Sequence, residues 1–179
     1  STPAALYKRQ CLAKLTKRAK IVLLGNILPI WDDPLWLVEQ LAMIDVISMG
    51  RLVSGWVRGT GRESVAHNSP PSYNWERFQE AHEFIIKAWT EPGPFRWEGK
   101  HFHYRYVNPG AKPYQKPHPP ISVAGMSPYP FFCNEAGKRG WEVISANFIP
   151  ADSVATHWQR FVEGCEEVGR EVDGNNWRV

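Results

Sequence analysis

Short apolar runs alternate with segments of helical period along this chain, and that alternation limits its fold more than any other feature. Ile21 to Leu24, Leu52 to Val57, Ile121 to Ala124 and Glu142 to Phe148 read as strands, with apolar residues at helix spacing between them. Strands this uniformly apolar are buried on both faces, so they are parallel and joined by right-handed crossovers. An open doubly wound sheet and a barrel both satisfy the pattern.

The helical segments carry their own signals. Pro3 to Ala19 reads as a helix with Leu6, Leu12, Leu15 and Ala19 near one face. Asp33 can cap a second helix that takes Pro34 in its first turn, buries Leu37, Leu41, Ile44 and Ile47, and stops near Gly50. Ser72 is placed to cap a third from about Tyr73 to Trp89, with Phe78, Ala81, Ile85 and Trp89 inward. Pro128 to Arg139 and Ala151 to Gly169 complete the helices, the last with a stripe of Val154, Trp158, Phe161, Cys165 and Val168. Between them lies an excursion over about 92–120, a hairpin around Phe95 to Tyr104 followed by a proline-rich stretch. Trp177 to Val179 looks like the opening of a further strand. One domain over 1–179 is the natural division.

Composition narrows the function classes. A net charge of +3 with both signs interspersed provides no basic face for nucleic acid. Cys11, Cys133 and Cys165 are far apart and odd in number, which suggests neither a disulfide framework nor a zinc site. No apolar segment is long enough to span a bilayer and the N-terminus lacks a signal-peptide pattern, so the cytoplasm is the default expectation.

Within this frame one motif is rich in chemistry. Arg51 to Gly59 reads Arg-Leu-Val-Ser-Gly-Trp-Val-Arg-Gly, a strand that ends in an arginine followed by glycine. Such an ending delivers a cation and an unhindered backbone to the mouth of a sheet, where anionic ligands of α/β proteins bind. Before it stand Gly25-Asn26-Ile27-Leu28-Pro29, Asp32-Asp33-Pro34 and Ser48-Met49-Gly50. After it come Pro117-His118-Pro119-Pro120-Ile121, Ala124-Gly125-Met126-Ser127-Pro128 and Arg139-Gly140-Trp141. Taken in order, this set resembles the bacterial-luciferase-like flavin-dependent monooxygenase family.

The resemblance implies a (β/α)8 TIM barrel, present as an incomplete barrel of about strands 3 to 6 with their helices, because such barrels need about 250 residues. A parallel barrel lacking strands exposes hydrophobic edges, so a gene fragment, or a chain completed by a partner, is expected. The implied activity is that of a flavin-dependent oxidoreductase, an FMN-dependent monooxygenase using reduced flavin from a separate reductase and O2 on a small organic substrate. A deazaflavin coenzyme used for hydride transfer is the alternative within the family, and a non-catalytic flavin-binding protein the alternative outside it. Full-length relatives are expected to be homodimers.

For individual residues the resemblance implies cofactor contacts. Arg58 contacts the flavin phosphate, a task its donor fork suits. Gly125, Met126 and Ser127 offer backbone amides and a hydroxyl to the same phosphate, against the plainer reading of Ser127 as a helix cap. Gly25-Asn26 lies against the flavin ring, where some members have a non-prolyl cis peptide, the plainer reading being a turn. The C-terminal ends of the strands, with Asn26, Arg58 and Gly125, are expected at one rim. Arg77-Phe78 stands where several members have Arg-Tyr. The histidine that some members use in catalysis comes from an earlier part of the barrel, so the motifs quoted above imply no catalytic residue. His101 and His103 alternate on an expected strand and lack a third metal ligand, His67 and Asn68 fall in the loop after Arg58, and His82 and His157 read as helix-surface residues. Trp31 and Trp56 are expected near the pocket mouth.

Overall fold

The computed structural model describes residues 3–178, with side chains described for 7–177; the side chain of Leu6 and the strand position of Val179 lie outside these. In chain order the elements are α1 (Pro3–Leu15), β1 (Ile21–Ile27), α2 (Pro34–Ser48), β2 (Leu52–Val57), α3 (Gly61–Ala66), α4 (Asn74–Thr90), β3 (Phe95–Glu98), β4 (His103–Val107), β5 (Ile121–Gly125), α5 (Phe131–Arg139), β6 (Glu142–Ser145), α6 (Ala151–Glu167) and β7 (Trp177–Arg178). Five strands form one sheet in the order β1-β2-β5-β6-β7, with β2, β5, β6 and β7 paired in parallel, and β3 and β4 form a separate antiparallel hairpin. This is the parallel α/β order expected of a barrel segment, and it is not closed.

The residues group into two compact units: 1–22, 26–52 and 57–119 in the first, 23–25, 53–56 and 120–179 in the second. In the first unit, α2 begins where Asp33 accepts from the Leu35 amide at 3.1 Å, with Pro34 inside the first turn. It ends at Met49, whose left-handed φ of 54° is followed by Gly50 at 78°. Leu37, Val38, Leu41 and Ile44 are buried against α4, which contributes Phe78, Ala81, Phe84, Ile85 and Ala88. Each large aliphatic side chain so buried contributes about 1.5–3 kcal/mol. Asp45, fully buried, accepts from the Gln115 amide at 2.9 Å and side chain at 2.8 Å, which ties the proline-rich stretch to α2.

The inner face of α1 differs from the leucine stripe. Leu12 and Leu15 are exposed, Ala19 lies beyond the helix, and Ala13 is the buried residue. The helix meets α2 through small and polar groups, Gln10 donating to Gln40 at 2.9 Å, a pattern that hydrophobicity alone does not flag.

In the second unit, Gly137 and Gly164 let α5 and α6 meet backbone to backbone. A Cβ on Gly164 would stand 2.8 Å from the Asn134 carbonyl carbon, and one on Gly137 2.8 Å from the Cys165 nitrogen. The buried face of α6 is therefore His157, Phe161, Gly164 and Cys165, while Val168 is exposed. Trp56 packs edge-on against Trp141 in the core of this unit, its indole N–H bonded to Ser54 at 2.8 Å. It is completely buried and lines no mouth.

Candidate functional site

β2 carries its side chains into the core until Trp56 and then releases the chain, so Arg58 emerges exposed. Gly59 follows at φ +77°, a conformation that a side chain resists. The chain turns at once into α3, a short helix started by a capping box in which Glu63 accepts from the Thr60 amide at 2.7 Å. The signal was Thr60-x-x-Glu63, which the surrounding glycines obscure. Arg58, Gly59, Thr60, Ser72, Asn74 and Trp75 line an open cleft of about 520 Å³. Asn74 is buried, donates to Ser64 Oγ at 2.7 Å and leaves its Oδ1 without a partner.

Arg58 makes no hydrogen bond or ion pair among the described residues, although Arg51 at the other end of the same motif makes five. Arg77 is also committed. It holds the carbonyls of Pro29 at 2.7 Å and Trp31 at 3.1 Å, and pairs with Asp32, which fixes the segment after β1. Trp31 in that segment stacks on Trp36, its indole N–H unpartnered. His67 and Asn68 end α3 and do not line the cleft.

Asn26 is fully buried inside β1, which continues to Ile27, so Gly25-Asn26 is strand and not a turn. The cis peptides among the described residues are Gly93–Pro94 and Lys116–Pro117; Gly25–Asn26 is not one of them.

In the second unit the parallel register sets Trp56 beside Val123 and Gly125 beside Ser145, so β2, β5 and β6 finish along one edge. Met126 and Ser127 are exposed in the turn that follows. Ser127 does not cap a helix and Pro128 is not in one: α5 begins at Phe131, because Tyr129 adopts φ 49°, outside the right-handed helical region that its position before Pro130 also disfavours. Similarly, Ser72 does not cap α4, whose N-cap is Tyr73 without a side-chain bond.

The histidines are distributed differently from expectation. His101 sits in the hairpin turn, not on β4, with its ring 3.0 Å from Glu76, and only His103 is on the strand. No group of three metal-ligating side chains occurs among the described residues. His157 is wholly buried, not on the surface. Its Nδ1 lies 2.8 Å from Ser145 Oγ and its Nε2 2.9 Å from the Ser127 carbonyl oxygen. Reading α6 by its large apolar residues missed it; the signal lay in Gly164, which turns the helix face that includes His157 inward.

A parallel sheet with helices between its strands, in which β2, β5 and β6 end along one edge, defines an α/β protein of the barrel type. The family model described as luciferase-like monooxygenase matches residues 11–177, and the chain belongs to that family. It is 32% identical over 123 residues to the oxygenase component of the flavin-dependent trigonelline monooxygenase of Acinetobacter baylyi, a match covering 65% of this chain and 33% of that protein. It is 34% identical over 122 residues to the FMNH2-dependent dimethylsulfone monooxygenase of Pseudomonas putida, covering 64% of this chain and 32% of that one. The crystal structure of monooxygenase RslO1 from Streptomyces bottropensis superposes with a TM-score of 0.84 at 27% identity, covering 98% of this chain and 53% of that chain. The match thus spans about a third of the length of the curated relatives and half of the solved chain.

Proposed function

We propose that this chain is the flavin-holding part of a flavin-dependent oxidoreductase, an FMN-dependent monooxygenase that receives reduced flavin from a separate reductase and oxidises a small organic substrate with O2. Family membership and the relatives named for flavin-dependent monooxygenation support this reading. The observation that carries it is the free guanidinium of Arg58 at the end of β2, beside Gly59 and opening on a cleft. A guanidinium left without a partner beside accessible backbone suits a phosphate group. The residues thus fit the phosphorylated tail of FMN.

When bound, the flavin supplies the reaction with oxygen. The chain's own residues bind and orient it. Arg58 neutralises phosphate charge, and Arg77 keeps the Pro29–Trp31 carbonyls in place. Asn26, Gly125, Met126 and Ser127 are proposed as further cofactor contacts, each open to test by its own substitution.

The test compares FMN with riboflavin by flavin fluorescence quenching. Arg58→Ala removes a charge-assisted contact worth about 1.5–3 kcal/mol, so FMN affinity is expected to fall roughly ten- to a hundredfold while riboflavin affinity stays constant. Equal loss for both ligands assigns Arg58 to the fold, and no loss for either removes it from the site.

A further inference from the structure

His157 is a completely buried imidazole that the flavin reading above does not use. With the imidazole neutral, its hydrogen bonds admit one arrangement of protons. The Ser127 carbonyl only accepts, so Nε2 carries the proton that fills the 2.9 Å contact. The Trp177 indole only donates, and it donates to Ser145 Oγ at 3.1 Å. Ser145 therefore turns its own hydroxyl proton to His157 Nδ1, 2.8 Å away. The hydrogen bonds from Trp177 through Ser145 and His157 to the Ser127 carbonyl thus all run in one direction.

The turn needs such a tether. Ala146 N–H binds the Gly125 carbonyl at 3.0 Å, and the Tyr129 amide donates to Thr156 Oγ1 at 2.8 Å. Between those two anchors Pro128 has no amide, and the amides of Met126 and Ser127 have no partner among the described residues. The bond from His157 is what fixes the Ser127 carbonyl inward, and with it the Ser127–Pro128 peptide that ends the turn. Gly125 is part of the same device: a Cβ there would lie 2.6 Å from His157 Cε1 and closer still to Nδ1.

We infer that His157 is a positioning residue that holds the Met126–Ser127 turn with its amides and the Ser127 hydroxyl free for a phosphorylated ligand, and that position 125 is glycine to admit the imidazole. The ligand part of this inference rests on the proposed flavin function. The positioning part does not.

The experiment uses the full chain, its imidazoles labelled with 15N, and the variants His157→Ala, His157→Gln and Gly125→Ala. In the unliganded wild type, two-bond 1H–15N correlations are expected to place the His157 proton on Nε2. His157→Ala should shift the Met126 and Ser127 amide resonances and lower FMN affinity by roughly tenfold while riboflavin affinity is unchanged. His157→Gln, whose terminal amide can reach the place of Nε2, should restore both. Gly125→Ala should reproduce His157→Ala, and the double variant should be no worse than either single one. A proton on Nδ1, amide shifts equal in the Ala and Gln variants, or a loss common to FMN and riboflavin would overturn the inference. If the wild type itself does not distinguish FMN from riboflavin, the flavin-phosphate reading fails. The proton position and the amide shifts then still decide the role of His157.

Discussion

The guanidinium of Arg51 reaches the Ala13 carbonyl at 2.7 Å and so joins the end of α1 to the start of β2. Its remaining donors go to the carbonyls of Ser48, Thr16 and Ala19 and to Thr16 Oγ1, between 2.7 and 3.0 Å, which leaves no N–H of the group unused. A planar fork satisfied on all sides tolerates no substitute, since an ammonium has three donors and no fixed plane.

Arg51→Lys is therefore expected to cost about 2–4 kcal/mol of stability, because it strands buried carbonyls. Arg58→Ala should stay within about 0.5 kcal/mol of the parent, as exposed substitutions do. Urea denaturation of the two variants separates the roles: comparable losses would contradict the division of one motif into a structural and a ligand-facing arginine.

That division shows what the sequence can carry. The parallel α/β order, the Asp33 cap, the end of α2 near Gly50, and the positions of β2 and β5 follow from periodicity and turn chemistry, which are local. Which arginine is free is not local, since Arg51 is consumed by carbonyls of residues 13 to 19 and Arg58 is not. His157 was hidden for a related reason: helix burial follows close packing, and glycine sets that packing without registering as hydrophobic. The α1 stripe failed likewise, with Ala13 and Gln10 facing inward in place of leucines.

The α5 and α6 contact gives a prediction free of any ligand. Adding a methyl group at Gly164 sets it 2.8 Å from the Asn134 carbonyl carbon, which is backbone and cannot rotate away. Gly164→Ala should destabilise by about 1–3 kcal/mol through overpacking, although alanine is the better helix former. A thermal midpoint at or above that of the parent would refute the close approach.

Thiol reactivity should separate the cysteines. Cys11 is exposed, whereas Cys133 is buried and burial pushes its thiol up to about 12, against a smaller lowering by Arg160. At pH 8 only about one Cys133 in ten thousand is then a thiolate. Burial also raises Cys165. Ellman's reagent should titrate one thiol in the native chain and three after denaturation. Fast modification of a second native thiol would show that the α5 and α6 packing opens readily.

The carboxylate of Glu80 collects three donors of the hairpin that interrupts the barrel pattern. Glu80 on α4 accepts from the amides of His101 at 2.8 Å and Phe102 at 2.9 Å and from the Trp97 indole at 3.2 Å. Gly99 has no room for a side chain beside it. Beneath the turn, Phe84 stacks on Tyr104 at 4.8 Å and meets Trp97 edge-on at 5.4 Å, so the apolar part of the anchor survives loss of the carboxylate. Glu80→Ala should leave three donors unanswered and cost about 1–3 kcal/mol. Its sharper signature is local. The amides of His101 and Phe102 should exchange with solvent roughly tenfold faster or more, while those of β5 and β6 keep their protection. Glu80→Gln, which keeps an acceptor, should fall between the two. Uniform acceleration across all strands would mean that Glu80 supports the whole fold and not the hairpin alone.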